Sequence, residues 1–222
     1  LVIFLSDNGG AMDGGVNPTD RGFGFGPGSK GPKFRLDGVH PVGGSGPRNM
    51  PGGPETFAGY GVAWSTVSNT PWRSHKSHAY EGGIRTPLVA RWPKVIRDGN
   101  QITTQSGHVI DFMATFLDLA GVDYPTQFNG RKPLPLEGKS LVPIFRGEER
   151  KPHDALYFSV PKNQSMRMGD WKIVNAARGK PWELYNLAND PTERTNLAAK
   201  HPDRARNMAA AFKQWQARVG DK

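Results

Sequence analysis

The chain opens on the stretch LVIFL, residues 1–5, followed at once by SDNG, residues 6–9. A short apolar run that ends at a turn signal is typical of a strand buried on both faces, as in a parallel sheet. The run is too short for the apolar region of a secretion signal, and neither an initiator Met nor basic residues precede it. We therefore expect a core strand over residues 1–5, in a chain that is part of a longer protein.

Two side chains with oxygen donors, Asp7 and Asn8, follow this strand. In parallel α/β sheets, ligands collect beyond the carboxyl ends of the strands. A carboxylate and an amide oxygen suit Ca²⁺ or Mg²⁺ and suit zinc poorly. Calcium takes about six to eight oxygens, so the pair would supply only part of a metal site. The alternative interpretation is a turn closed by the Asp side chain.

The elements that follow predict an α/β layered domain. Residues 86–93, TPLVARWP, predict a short buried strand, and residues 105–110 are a candidate for a further strand. From Asp111, the predicted N-cap, a helical apolar periodicity runs up to Gly121, which is expected to close the helix. Strand, loop, strand and helix in this order indicate the α/β class. The apolar positions of the helix are Met113, Phe116, Leu117 and Ala120.

The C-terminal residues have a different pattern, which predicts an antiparallel meander and a helix. Strands are expected at residues 155–160, 165–174 and 182–187. A helix is expected to start near Pro202, and its apolar stripe is Ala205, Met208, Ala209, Phe212, Trp215 and Val219. We therefore divide the chain into a main α/β domain over residues 1–148 and an α+β subdomain over residues 149–222.

A segment rich in glycine and proline, residues 9–59, interrupts the main domain. Of the 28 glycines in the chain, 17 lie between residues 9 and 61. Few apolar residues are available there to support regular structure. No Gly-Lys-Ser/Thr sequence closes the segment, so it is not a Walker phosphate loop. Loops of this length inside a compact domain are usually functional, and we expect this one to shape substrate specificity.

Charge and composition narrow the range of partners. The 222 residues hold 29 Lys and Arg against 20 Asp and Glu, a net charge of +9, and no Cys. A positive field favours anionic partners, with an ordinary solvated basic surface as the alternative. No zinc-finger, RNP or basic-zipper pattern is present, so nucleic acid is not expected. No apolar run approaches the roughly 20 residues of a membrane span. The lack of Cys excludes disulfides and a Cys nucleophile within these residues.

The segment PWRSHKSHAYEGGIR, residues 71–85, concentrates groups that could carry chemistry. It contains Arg73, His75, Lys76 and His78, and two adjacent glycines follow them. Lys and Arg can neutralise sulfuryl or phosphoryl oxygens, and a His can pass a proton to a leaving group. Adjacent glycines permit close approach of another backbone segment. The alternative interpretation is an ordinary basic surface loop.

Taken together and in this order, these segments resemble the C-terminal half of a type I sulfatase. Type I sulfatases are the formylglycine-dependent arylsulfatases of the alkaline phosphatase superfamily. The resemblance implies a partial alkaline-phosphatase-like α/β sandwich with a C-terminal α+β subdomain of antiparallel strands and one packing helix. It rests on SDNG (6–9), SNTPWR (68–73), Lys76, YEGGIRTP (80–87), RWP (91–93), DFMATFLDLAG (111–121), DWK (170–172), WELYNL (182–187) and NDPTE (189–193).

The resemblance also implies roles for single residues. Asp7 and Asn8 match the family's calcium ligands, and this match favours Ca²⁺ over Mg²⁺. Lys76 matches the lysine that contacts the sulfate and is the predicted catalytic residue of this chain. Glu81 and the glycines after it are expected to shape the turn that presents Lys76.

Four further residues are expected at the substrate pocket together with Lys76, namely Asn69, Arg73, His75 and His78. Neither of the two histidines maps onto the family's proton donor, which lies upstream. The resemblance implies that the complete protein hydrolyses sulfuric esters, with a sulfated small molecule or a sulfated glycan as its substrate. Export to the periplasm or the cell exterior is expected from the family.

The rest of the catalytic machinery is expected before residue 1. A formylglycine nucleophile, made from Cys or Ser, the remaining metal ligands and the catalytic His belong there by resemblance, so this part alone is expected to be inactive. The segment SGPRN, residues 45–49, is superficially similar to the nucleophile motif. Its Arg stands one position early, and we reject it.

Two other functions stay open. A phosphodiester or phosphonate monoester hydrolase of the same superfamily would need similar groups around its oxyanion. Asn8 stands where two-zinc phosphatases typically use His, which favours a single hard cation but does not separate sulfate from phosphate esters. A module derived from a sulfatase could also bind sulfated glycans through the metal and Lys76 without turnover. A Cys/Ser-x-Pro/Ala-x-Arg sequence upstream of residue 1 would support the enzyme.

Overall fold

The computed structural model describes residues 1–12, 61–160 and 163–220. Its mixture of strands and helices confirms the predicted α/β class. Most of the glycine-rich segment, including residues 45–49, lies outside the described residues. In chain order the elements are β1 (Val2–Leu5), α1 (Gly61–Ser68), α2 (Glu81–Ile84), β2 (Leu88–Arg91), α3 (Asp111–Ala120), α4 (Val142–Phe145), β3 (Leu156–Val160), β4 (Asn163–Met168), β5 (Trp171–Asn175), β6 (Glu183–Asn186) and α5 (Pro202–Val219).

Contacts within the described chain divide it into two compact units. The first consists of residues 1–7, 87–156 and 167–169, and the second of residues 8–12, 61–86, 157–160, 163–166 and 170–220. The units are defined by contacts in space and not by order along the chain. Residues 61–86 therefore belong to the same unit as most of the C-terminal residues. The expected boundary at residue 148 follows the change in element type along the chain, and it stays a prediction.

In the first unit, β1 pairs antiparallel with β2, and Val2 lies opposite Arg91. The expectation of a parallel strand buried on both faces was wrong. Val2 and Phe4 are 63% and 75% exposed, whereas Ile3 and Leu5 are half-buried. The physical reason is that successive side chains of a strand point to opposite faces, and a two-stranded sheet leaves one of its faces open to solvent.

Helix α3 is present as predicted, but it begins differently. Asp111 is its first residue, and Ile110 takes the N-cap position without a side-chain hydrogen bond. The buried carboxylate of Asp111 instead accepts hydrogen bonds from the backbone N–H groups of His108 (2.9 Å) and Lys139 (2.8 Å). Gly121, at φ 63°, ends the helix in the left-handed conformation, as predicted. The candidate strand just before the helix is not formed.

The face that α3 buries also differs from the prediction. Met113 and Phe116, two residues of the predicted apolar stripe, are more than half exposed, whereas Ala114 and Thr115 are buried. Thr115 accepts a hydrogen bond at its Oγ1 from the Leu141 N–H at 2.9 Å. The segment that leads into α4 therefore covers the side of α3 that carries Thr115, and this tertiary contact overrides the apolar periodicity.

A cluster of charged groups surrounds Asp111. Besides the two backbone donors, its carboxylate lies 2.9 Å from Arg150 Nη1 and 2.7 Å from His153 Nε2. Burial by itself would raise the pKa of Asp111, yet the four hydrogen bonds lower it below its usual value. Burial also lowers the pKa of the neighbouring His108 ring. The cluster connects the start of α3 to residues 139–153 of the same unit.

Most residues of a four-stranded sheet with the strand order β3-β4-β5-β6 belong to the second unit. The predicted strand at residues 165–174 is in fact two strands, β4 and β5. Gly169, at φ 56°, lies in the tight turn between them, a conformation that glycine adopts without steric cost. The last two strands pair antiparallel, which agrees with the predicted meander.

Helix α5 packs its apolar stripe within the second unit, as predicted. Ala205, Met208 and Phe212 are buried, and the Phe212 ring lies 5.2 Å from the Trp182 ring. Val219, the last residue of the predicted stripe, is 47% exposed. In the described ranges, no helix has both the length and the apolar character needed to cross a membrane.

Candidate functional site

Within the second unit, the lysine segment contacts residues 9 and 10, which follow Asn8. Lys76 N–H donates a hydrogen bond to Gly10 O at 3.1 Å, and Gly9 N–H donates one to Gly83 O at 3.0 Å. The backbone of Lys76 therefore lies beside the residues that directly follow Asn8. We call residues 69–85 the site loop.

Glycine is required where the site loop and residues 9–10 touch. A Cβ atom on Gly9 would lie 1.8 Å from Gly82 O, and one on Gly82 would lie 2.3 Å from Ser74 O. A Cβ atom on Gly83 would lie 2.1 Å from His78 O. Each obstacle is backbone, so no side chain can turn away to make room. The glycine of SDNG thus packs on the backbone of Gly82, whereas Gly82 and Gly83 pack on the backbone of their own loop. These close approaches give a steric reason for the glycines of both motifs.

Lys76 lies at an exposed turn of the site loop. Ser74 and Ser77, on either side of it, both have a φ of 72°. This left-handed conformation costs a residue with a side chain about 1–2 kcal/mol. Strained backbone that the surrounding structure enforces is typical of ligand-binding loops. The geometry is in keeping with an anion-binding role for Lys76, which stays a prediction.

His75 and His78 place their rings next to one another, with centroids 4.5 Å apart and planes at 87°. His75 Nδ1 lies 3.0 Å from Lys76 O. Because a carbonyl oxygen can only accept, Nδ1 carries a proton, and Nε2 of the neutral ring is an acceptor. Among the described residues, the buried Nδ1 of His78 has no hydrogen-bond partner. The role of both rings at a substrate pocket stays a prediction.

The side chains of Asn69 and Arg73 connect the site loop by hydrogen bonds to other parts of the second unit. Asn69 Oδ1 accepts a hydrogen bond from Gly10 N–H at 2.8 Å, and its Nδ2 donates to Ser74 O at 3.1 Å. Arg73 Nη1 donates to Tyr185 Oη at 3.1 Å and to the backbone oxygen of Glu193 at 3.0 Å. These contacts show an architectural use for both residues, and their predicted contact with substrate stays a prediction.

Sequence reasoning missed the buried ion pairs next to the site loop. Lys172, on β5, is fully buried, and its Nζ lies 2.8 Å from Glu81 Oε1 and 2.7 Å from Glu193 Oε1. Burial raises the pKa of Glu193, although the Lys172 ammonium acts in the opposite direction. A signal existed in the sequence, because strand alternation places Lys172 on the same face as the apolar Val174. A lysine on a buried face needs a charged partner.

Two tyrosines share one carboxylate beside these ion pairs. The Oη atoms of Tyr80 and Tyr185 both donate hydrogen bonds to Glu183 Oε2, at 2.6 and 2.7 Å. Burial, followed by the hydrogen bond to Glu183, raises the pKa of both phenols, so both keep their protons at neutral pH. The guanidinium of Arg73 lies over the Tyr80 ring, 4.0 Å from its centroid. The tyrosines therefore join the site loop to the sheet of the same unit.

Two family models match the chain. One, described as sulfatase, matches residues 1–122, and the other, described as N-sulphoglucosamine sulphohydrolase, C-terminal, matches residues 72–218. The chain belongs to the sulfatase family. The resemblance seen in the sequence motifs is thereby confirmed.

Curated sulfatases match the chain over part of their own length. A sulfatase of Formosa agariphila is 32% identical over 169 residues, which cover 67% of this chain and 30% of the relative. The N-acetylglucosamine-6-O-sulfatase of Bacteroides thetaiotaomicron is 33% identical over 138 residues, which cover 56% of this chain and 23% of the relative. The chain thus spans about a third or less of the length of these relatives.

Solved structures share the fold of this chain. The crystal structure of Ps i-CgsB aligns with a TM-score of 0.56 at 24% identity, over 70% of this chain and 34% of that chain. A structure described as a 2-O GAG sulfatase aligns with a TM-score of 0.52 at 22% identity, over 72% and 35% of the two chains. The predicted alkaline-phosphatase-like fold is confirmed by these neighbours.

The donor chemistry of this sulfatase chain fits the predicted calcium ion in part. Asp7 is exposed and Asn8 half-buried directly after β1, and their side chains offer carboxylate and amide oxygens, the donors that Ca²⁺ prefers. Within the described ranges, no group of three or more Asp, Glu, His or Cys residues converges as a metal site. The pair would therefore need further ligands, such as backbone or amide oxygens or residues from other parts of the complete protein.

Proposed function

We propose that this chain contributes the sulfate-binding lysine and two calcium ligands to a longer sulfuric ester hydrolase. One observation carries the proposal: the backbone hydrogen bond from Lys76 to Gly10 joins the lysine segment to the residues that follow Asn8. In a chain of the sulfatase family, these are the two segments that match the family's cation and sulfate contacts. The glycines that permit their close approach support the same assignment.

The proposed chemistry of Lys76 is stabilisation of negative charge. The ammonium group would bind oxygens of the sulfate ester and offset the charge that develops as the ester bond breaks. Asp7 and Asn8 would hold Ca²⁺, which when bound would supply further positive charge to offset that of the sulfate ester. The formylglycine nucleophile and the proton donor to the leaving alcohol are proposed to lie in the preceding part of the complete protein.

A sulfated carbohydrate is the proposed substrate class. Among the relatives, one is named an N-acetylglucosamine-6-O-sulfatase and another an ulvan-active sulfatase, at 33% and 30% identity. The net charge of +9 favours an anionic substrate of this kind. We also propose export to the periplasm or the cell exterior.

The test is a kinetic comparison in the complete protein. We expect turnover of p-nitrophenyl sulfate and of a sulfated oligosaccharide, and little turnover of p-nitrophenyl phosphate or a phosphonate monoester. Lys76→Ala should lower kcat/KM on the sulfate ester by about 100- to 1,000-fold, as removal of one oxyanion contact does in other enzymes. Lys213→Ala, an exposed lysine of the same unit, is the matched control and should leave kcat/KM unchanged.

Three outcomes would contradict the proposal. Preferential turnover of the phosphate or phosphonate esters would favour a hydrolase of the same superfamily with another substrate. Binding of the sulfated oligosaccharide without turnover would favour a glycan-binding module. Equal kinetics of Lys76→Ala and wild type would remove Lys76 from the site.

A further inference from the structure

Lys172 is a fully buried cation that pairs with Glu81 of the site loop and with Glu193. A buried ammonium group lowers the stability of the folded state unless it is paired with a negative charge. Here Glu81 Oε1 and Glu193 Oε1 lie 2.8 and 2.7 Å from Lys172 Nζ. Two carboxylates on one ammonium group leave an excess negative charge, and Arg85 offsets part of it, since its Nη1 lies 3.6 Å from Glu81 Oε2. Because a buried charge that loses its partner strongly destabilises the fold, Lys172, Glu81 and Glu193 restrict one another's positions.

Both the side chain and the backbone of Glu81 make hydrogen bonds to charged side chains. Its carboxylate pairs with Lys172, and its N–H donates to Glu193 Oε2 at 2.6 Å. Glu81 begins helix α2, and its backbone oxygen accepts a hydrogen bond from Arg85 N–H at 2.8 Å. The start of this single helical turn is therefore fixed by residues of the C-terminal part of the chain.

A continuous path of backbone contacts leads from Glu81 to Lys76. Gly83, two residues after Glu81, accepts the hydrogen bond from Gly9, and Gly10 accepts the one from Lys76. Both contacts are backbone hydrogen bonds, and Gly9 lies so close to Gly82 O that a Cβ atom would not fit there. Displacement of residues 82–83 therefore displaces Gly9 as well. The position of Lys76 thus depends on that of Glu81.

The sheet face that carries Lys172 makes further hydrogen bonds to the site loop. In the register of β5 and β6, Lys172 lies opposite Tyr185 and Val174 lies opposite Glu183. Directly paired residues share a face. Tyr185 accepts a hydrogen bond from Arg73, and Glu183 accepts one from Tyr80. The face that carries Lys172 therefore contacts the loop both before Lys76, at Arg73, and after it, at Tyr80 and Glu81.

We propose that Lys172 is a positioning residue for the sulfate-binding loop: through its ion pairs with Glu81 and Glu193 it fixes the backbone that presents Lys76. Lys172 itself contacts no substrate. The catalytic consequence rests on the proposed function, whereas the structural consequence does not. A displacement of about 1 Å at a catalytic group lowers turnover by about 100-fold.

The structural consequence is tested by amide hydrogen exchange in Lys172→Met, in the complete protein. We expect exchange in residues 74–84 to accelerate at least about tenfold, while the amides of α5, in the same unit, accelerate less. A general loss of stability would instead speed all amides of the unit alike. Arg150→Met is the matched control, because it removes a buried cation from a carboxylate in the other unit. It should leave exchange in residues 74–84 unchanged.

A milder variant keeps the test decisive if Lys172→Met does not fold. Glu193→Gln keeps an oxygen that can accept the Glu81 N–H but removes one ion pair from Lys172. The same selective acceleration, of smaller size, is expected, and kcat/KM on a sulfate ester should fall while Arg150→Met retains it. Uniform acceleration, or none in residues 74–84, would overturn the positioning role. A wild-type protein inactive on sulfate esters would contradict only the proposed function.

Discussion

Replacing Gly9 with alanine tests whether the backbone contact assembles the site. The added Cβ would lie 1.8 Å from Gly82 O, and ordinary van der Waals contact begins near 3.4 Å. The two backbone segments must therefore separate by about 1.5 Å, since repulsion rises steeply below the contact distance. The hydrogen bond from Gly9 to Gly83, now 3.0 Å long, would not survive that separation.

The expected loss follows from these two effects. Overpacking costs about 1–3 kcal/mol, and a lost hydrogen bond in a partly buried position costs about 0.5–1.5 kcal/mol. We expect the free energy of unfolding of Gly9→Ala to fall by about 2–4 kcal/mol. Since Gly10 holds Lys76, a shift of this size should also lower kcat/KM on a sulfate ester by about 100-fold.

The assay is urea unfolding together with turnover of p-nitrophenyl sulfate, both in the complete protein. Gly99→Ala is the matched control, because a Cβ at that position meets nothing within 4 Å. It should change neither quantity. If Gly9→Ala proves as stable as Gly99→Ala, the two segments are not in close contact and do not assemble a site.

The first unit and the metal ligands give further predictions. Asp111→Ala leaves Arg150 and His153 buried without their carboxylate and should cost about 3–5 kcal/mol in urea unfolding. Asp118→Ala, on the exposed side of the same helix, should cost less than about 1 kcal/mol, and equal losses would contradict the cluster. Because the folded pKa of Asp111 lies below its ordinary 3.8, its contribution is complete above that value and is lost as the pH falls through the lower folded value. For His108 the unfolded chain takes up a proton near pH 6.5 and the folded chain only at lower pH, so unfolding at pH 5.5 should need less urea than at pH 7.5. A His108→Asn variant with an unaltered pH dependence would argue against that assignment. Asp7→Ala should weaken Ca²⁺ binding in isothermal titration, and wild-type affinity in this variant would exclude Asp7 as a ligand.

Features with local signals were predictable from the sequence. Helix α5 and the end of α3 at Gly121 follow from apolar periodicity and from a glycine in the left-handed conformation. The motifs around Lys76 and Asp7 are contiguous, so the family could be recognised from them. These signals depend on neighbouring residues only, and no tertiary contact is needed to read them.

Features that depend on packing were predicted less well. The apolar run of β1 indicated a buried parallel strand, but an apolar sequence does not specify its partner, and the pairing with β2 is antiparallel. The periodicity of α3 indicated Met113 and Phe116 as its buried face, whereas the helix buries Ala114 and Thr115. In both cases the neighbouring elements in the folded chain determine which side chains are buried.

The candidate site shows the same division. By itself, the sequence determined the family and the residues that match its cation and sulfate positions, Asp7, Asn8 and Lys76. Only the tertiary structure decided that Gly9 rests on the backbone of the site loop and that Lys172 is paired with glutamates. Lys172 and Glu81 are 91 residues apart, and Glu81 and Glu193 are 112 apart. Buried charges need partners of opposite charge, and backbone segments in close contact need glycine at the point of contact. Which residues meet in this way is decided only when distant parts of the chain come together in the fold.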